Sequence, residues 1–131
     1  MERKITNPWS WQDGFGFVQG LEVSGVKRTL YCAGQTSVDA EGVPAHAGDM
    51  RAQLGLALDN LVTVLQQAGF SLGDVVRLNV YTTDVDQLSE AYGLVVPRLA
   101  SAGCRPTMTW LGVSRLANPE LMVEIEATAV R

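Results

Sequence analysis

The chain holds little of what most covalent and metal chemistry needs. There is one histidine, His46, and there are two cysteines, Cys32 and Cys104. A single histidine leaves a zinc site or a histidine-dependent triad without partners. Two cysteines cannot build a disulfide framework. Basic charge is also short, with 10 Lys plus Arg against 14 Asp plus Glu and a net charge of −4 at pH 7. That balance fits neither nucleic acid nor an anionic membrane surface. No window approaches the eighteen uninterrupted apolar residues of a membrane-spanning helix. The start Met1-Glu2-Arg3-Lys4 is charged and no apolar stretch follows it, so no secretory leader is expected and a cytoplasmic location is. No Walker loop, G-x-S-x-G elbow or paired C-x-x-C occurs. Gly14-Phe-Gly16-Phe-Val-Gln-Gly20 has one residue too many for a dinucleotide fingerprint and precedes a strand pattern, so it is not expected to cradle phosphate. Linkers, low-complexity tracts and internal repeats are missing too, and no metal or organic cofactor is implied.

What is present is a globular composition. The chain has 131 residues, 47% of them hydrophobic and 18% charged, which suits one domain, residues 1–131, with a core of its own. Residues 17–23 and 27–33 are β-branched or aromatic runs separated by Ser24-Gly25, which predicts an antiparallel hairpin. From Asp49 onward, Met50, Leu54, Leu58, Leu61, Leu65 and Ala68 recur at helical spacing, with Asp49 placed as N-cap and Gly69 as C-terminal stop. Val76, Leu78 and Val80 alternate with Arg77, Asn79 and Tyr81, a strand with one buried face. A second helix is expected over 86–102, which Pro97 should kink or restart as a new turn. Strands are expected at 107–113 and 121–130. The order is β-β-α-β-α-β-β, with a further strand at 3–6. This is an α+β pattern, one sheet with two helices on one face. So many apolar strand residues leave a second sheet face that a partner subunit would cover.

Few side chains stand out as chemical. His46, between Ala45 and Ala47 in a turn-rich stretch, reads as a solvated loop residue. Cys32 lies mid-strand and reads as a small buried hydrophobe, and Cys104 has no activating base beside it. Glu124 and Glu126 are two apart on a strand and point to the same side. They either form an exposed polar face or place a carboxylate in a cleft as general base on water, and the residues alone leave both readings open.

Ala33-Gly34-Gln35, Leu58-Asp59-Asn60-Leu61, Ala68-Gly69 with Asp74-Val75-Val76, Tyr81-Thr-Thr-Asp84, Gly112-Val-Ser-Arg115-Leu116 and the closing Val123-Glu-Ile-Glu-Ala-Thr-Ala129 run in order along the chain. Together they resemble the Rid (reactive intermediate/imine deaminase, YjgF-like, RidA-like) family from about Phe17 to Arg131. The resemblance implies a chorismate-mutase-like subunit assembled as a homotrimeric barrel, with a small-molecule ligand cleft at each subunit interface. In the RidA branch it implies hydrolysis of imines and enamines derived from amino acids to the keto acid and ammonia. In the RidA branch an arginine clamps the substrate carboxylate, a glutamate on the last strand activates water, and a tyrosine, a serine and an asparagine add polar contacts. Carried onto this chain, the glutamate is Glu124, and the arginine position falls on Met108 in Pro106-Thr-Met-Thr109. The tyrosine becomes Phe17, the serine Ala33 beside Gly34, and the asparagine Tyr92. Trp110 lies two residues beyond Met108 and is expected to line the same cleft.

The chain thus resembles a divergent member lacking the clamp. Arg105 is the nearest replacement, a possible anion contact, but it stands an odd number of residues from Met108. Arg51, Arg77 and Arg98 are others that an assembly could bring in. Losing a buried bidentate charged contact costs about 2–5 kcal/mol of binding, so small imino acids are not expected as substrates. One reading is a deaminase or hydrolase of imine, enamine or related C=N compounds with Glu124 as base and a range unlike that of RidA. The other is a non-catalytic trimer that binds a small metabolite or regulates. Ribonuclease activity, an old label in this family, is opposed by the net charge and the lone histidine.

Overall fold

The structure, a computed structural model, describes all 131 residues. Six strands and three helices follow in order: β1 (Glu2–Thr6), β2 (Gly20–Ser24), β3 (Thr29–Gln35), α1 (Met50–Gln67), β4 (Val75–Thr82), α2 (Val85–Ala91), α3 (Val95–Ser101), β5 (Thr107–Gly112) and β6 (Val123–Val130). The long helix starts and stops where its sequence says. The Asp49 carboxylate accepts from the Ala52 amide at 3.0 Å, satisfying one orphan donor of the first turn. At the other end Gly69 takes φ +78°, and the amides of Gly69 and Phe70 return to the carbonyls of Gln66 and Leu65. That pair of bonds is a Schellman stop.

Four strands form one mixed sheet in the order β3-β6-β4-β5. β6 runs antiparallel to both neighbours, and β4 and β5 are parallel. Alternation along β6 sends Val123, Ile125, Ala127 and Ala129 into the core beneath α1, where they meet Leu54, Leu58, Leu61 and Leu65. Leu78 and Val80 of β4 join them, and Met108 and Trp110 of β5 are in register with those two and share their face. The opposite face of the sheet is open and more polar than the sequence suggests. It presents Arg77, Asn79 and Tyr81 from β4 beside Thr128, Glu126 and Glu124 from β6, with the exposed Tyr31 on β3.

Three expectations need correction. The hairpin between residues 17–23 and 27–33 does not form: β2 pairs antiparallel with β1, from Glu2↔Ser24 to Thr6↔Gly20. Lys27 and Arg28 instead donate their amides to the Arg131 carbonyl, which carries the chain across to β6, the partner of β3. The long matched apolar face of β6 sets that pairing against the local turn preference at Ser24-Gly25. The helix expected over 86–102 is broken into α2 and α3 by a 3-10 turn at Tyr92–Leu94. Pro97 offers no amide to the Gly93 carbonyl four residues back, and it sits in the first turn of α3, where that loss is tolerated. A bulge between Val75 and Arg77 also moves the buried position at the start of β4 from Val76 to Val75.

Candidate functional site

Between β1 and β2 the chain forms a strap rich in aromatics. Its ends are tied by the Gln19 amide, which donates to Asn7 Oδ1 at 2.8 Å. Inside the strap the fully buried Gln12 acts as a strut: its Nε2 donates to the Trp9 carbonyl at 2.8 Å, and its Oε1 accepts from Gln19 Nε2 at 3.2 Å. Val18 then docks on Pro106 by a backbone bond of 2.9 Å, just before β5 begins. The strap is thereby held over the edge of the sheet, facing the break between α2 and α3.

The space between them is a cavity of about 430 Å³ lined by Trp11, Phe15, Phe17, Tyr92, Met108 and Trp110, with Gly14, Ser89, Gly93 and Val96 completing it. Trp11 packs edge-on to Phe17 at 5.9 Å between ring centres, and Tyr92 packs edge-on to Trp110 at 4.7 Å. The Tyr92 hydroxyl donates to Met108 Sδ at 3.0 Å. Burial and the nearby Cys104 push that hydroxyl well above its usual range, so it stays a neutral donor. No charged side chain lines the cavity.

Glu124 stands elsewhere. It is opposite Tyr81 on the open face, two strands away from Met108 and on the other side of the sheet. Its side chain packs against Gly34, where an added Cβ would come within 1.9 Å of Oε1. Only glycine allows that approach, at the place where the β3–β6 register shifts between Cys32 and Gln35. Beside it, Glu126 accepts from Asn79 Nδ2 at 3.0 Å and from the Tyr81 hydroxyl. The hydrogen bond to Glu126 is the main cause that raises the Tyr81 hydroxyl above its ordinary range.

The residues singled out in the sequence therefore fall into two groups that one subunit does not join. Phe17, Tyr92, Met108 and Trp110 share the aromatic cavity, while Ala33, Gly34 and Glu124 share the open face. Three of the four candidate arginines have partners, and Arg51 stands exposed in the first turn of α1. Arg105 approaches Asp13 at 3.7 Å and Arg98 pairs with Asp59 at 2.7 Å. Arg77 donates to Thr109 Oγ1 at 2.7 Å on the open face. Cys104 is buried and its thiol is pushed up to about 12, which removes the thiolate a nucleophile needs. Sequence reasoning missed Trp11, Phe15, Ser89, Gly93 and Val96. A signal for the first two was there: four of the nine aromatic residues fall between positions 9 and 17.

A family model described as Endoribonuclease L-PSP matches residues 15–131. The chain belongs to that family. Rid proteins are among the solved structures it resembles, as the sequence motifs implied. The Rid family protein YyfB from Yersinia pestis, of unknown function, superposes with a TM-score of 0.87 at 35% identity over all of both chains. Escherichia coli TdcF, solved with bound serine, gives a TM-score of 0.70 at 30% identity over 88% of this chain and 87% of that one. Among curated relatives, the 2-iminobutanoate/2-iminopropanoate deaminase of Salmonella typhimurium is 28% identical, covering 88% of this chain and 87% of its own length. A RutC family protein of Pyrococcus horikoshii is 29% identical over 78% of this chain and 79% of its own. The α+β subunit is thus the Rid fold. No helix of this family member is long and apolar enough to cross a membrane.

Proposed function

We propose that this Rid family member hydrolyses imines, enamines or related activated C=N compounds, as a homotrimer whose clefts lie between subunits. The observation that carries the reading is the Glu124 carboxylate, seated on Gly34 and free of any cation of its own chain. A carboxylate so placed can take a proton from water as the water oxygen adds to the C=N carbon. That proton passes to nitrogen to give the carbinolamine, which collapses as the carboxylate relays its hydroxyl proton to nitrogen as well, so that C=N–H and water become C=O and ammonia.

The separation of the two residue groups supports a cleft shared between copies. Within one chain Glu124 and the aromatic cavity lie on opposite faces of the sheet, so a substrate that reaches both must be enclosed by two subunits. The cavity also supports a substrate range unlike that of the iminobutanoate deaminase relative. Met108 offers no charge to a carboxylate, and Arg105 is turned toward Asp13. Glu124→Gln is expected to abolish turnover of an imine generated in place by an amine oxidase. An unchanged rate would remove Glu124 from the mechanism.

A second reading, a trimer that binds a metabolite without consuming it, is favoured by the scarcity of polar groups in the cavity, where Ser89 is the only aliphatic hydroxyl. Calorimetry showing saturable binding with the ligand recovered intact would select it.

A further inference from the structure

The aromatic cavity carries more than the statement that a charge is missing. Its rings form two facing walls, each pre-set by its own contacts. On the strap, Trp11 meets Phe17 at 73° and Phe15 meets Phe17 with ring centres 6.5 Å apart. On the sheet and helix side, Tyr92 and Trp110 meet at 70°. The strap wall is not collapsed into the core: Trp11 is 62% exposed and Phe15 49%. The strap is nevertheless held from within by the buried Gln12 strut and from its ends by Asn7 and Gln19. Two glycines, Gly14 and Gly93, line the space between the walls. A Cβ on either Gly14 or Gly93 would meet nothing within 4 Å. At about 430 Å³ the cavity lies within the range of small-molecule sites.

We infer that this cavity binds a planar aromatic group that bears no negative charge. The inference deepens the reading above by naming the part of the substrate that the cavity holds. Ring faces are negative and ring edges positive, so two walls of aromatic rings favour a third ring between them and tolerate a cation there. An anion is disfavoured twice. It would meet negative ring faces, and it would leave water with no cationic partner on the lining, since Arg105 is engaged with Asp13. Ser89, the one aliphatic hydroxyl on the lining, suits a single hydrogen bond at the edge of the ring.

Three probes that share one ring system and differ in charge test this: indole, tryptamine and indole-3-acetate, titrated calorimetrically into the assembled protein. Indole and tryptamine are expected to bind, with indole-3-acetate at least tenfold weaker than tryptamine. Met108→Arg should reverse that order. Gly93→Leu, which fills open space without disturbing a ring, should weaken all three at least tenfold while the unfolding midpoint stays near that of the wild type. Equal affinity for the three probes, tighter binding of the acid, or no heat because a neighbouring subunit already fills the cavity would each overturn the inference. The measurement separates it from the catalytic reading. Glu124→Gln should leave indole binding unchanged, so a protein that binds indole but hydrolyses no imine defeats the catalytic reading alone. One that hydrolyses imines but ignores indole defeats this one alone.

Discussion

Gly34 and Glu124 make the sharpest contact between sequence and chemistry in this chain. A Cβ at position 34 would overlap the Glu124 carboxylate, so Gly34→Ala must push the carboxylate away from β3. The expected result is a fall of tenfold or more in kcat on an imine substrate, with the circular dichroism spectrum unchanged. Gln53 shows how a residue far from the cavity fixes the strand that carries Glu124. Its Nε2 donates to the carbonyls of His46 and Glu120 at 3.1 and 2.8 Å, and its Oε1 accepts from the Met122 amide at 2.8 Å. Gln53→Leu strands those buried groups, and urea unfolding should report a loss of about 2–3 kcal/mol. Cys104 gives a prediction in pH. Burial raises its thiol from 9.0 to about 12, so the fold favours the neutral form. Stability from this group is complete below pH 9 and is lost as pH rises toward 12. Thermal midpoints should therefore decline across that window, and less steeply in Cys104→Ala. Much at this scale was legible. Met108 and Trp110 share a wall because period two puts them on one side of a strand. Trp11 and Phe15 were not legible as partners, because the strap has no period and is shaped by Gln12 and Asn7, whose polar contacts leave no mark in a hydrophobic pattern.

Among the elements, α1 was the most readable because its signals agree. The apolar stripe, the Asp49 cap and the Gly69 stop all point to one helix, and that helix spans Met50–Gln67. Asp49→Ala removes the cap bond and should cost about 1 kcal/mol, measured by urea unfolding. The strand ladder was readable wherever apolar and polar residues alternate, as on β6. Where a local signal competed with a long-range one, the long-range one won. Ser24-Gly25 has the chemistry of a hairpin turn, yet β3 pairs with β6, and β2 is left to β1. The break between α2 and α3 follows from Pro97 and Gly93, and it has a consequence for the site. The turn places Tyr92 against Met108 and Trp110 and leaves Gly93 as open space in the cavity.

At the scale of the whole molecule, the layering was legible and the division of the site was not. Helices on one face of a mixed sheet follow from the order of elements. That Glu124 and Met108 would occupy opposite faces depends on the register of β4 with both β5 and β6, which no single-strand pattern contains. The division has a direct consequence for assembly. Sedimentation should give a particle of about three times the 14.1 kDa chain, and a monomer in solution would leave the two halves of the site apart. The central claim is that the C=N chemistry of the family persists here on a substrate the arginine clamp would not select. The most direct test is an imine-hydrolysis assay in which an amine oxidase generates imines without a carboxylate, an amino-acid oxidase generates imino acids, and semicarbazide competes for each. Imines derived from aromatic and from small aliphatic amines would be compared across wild type, Glu124→Gln and Met108→Arg. The account predicts turnover of the aromatic imine by the wild type, none by Glu124→Gln, and a shift toward imino acids in Met108→Arg. Equal inactivity of all three on every imine would contradict it.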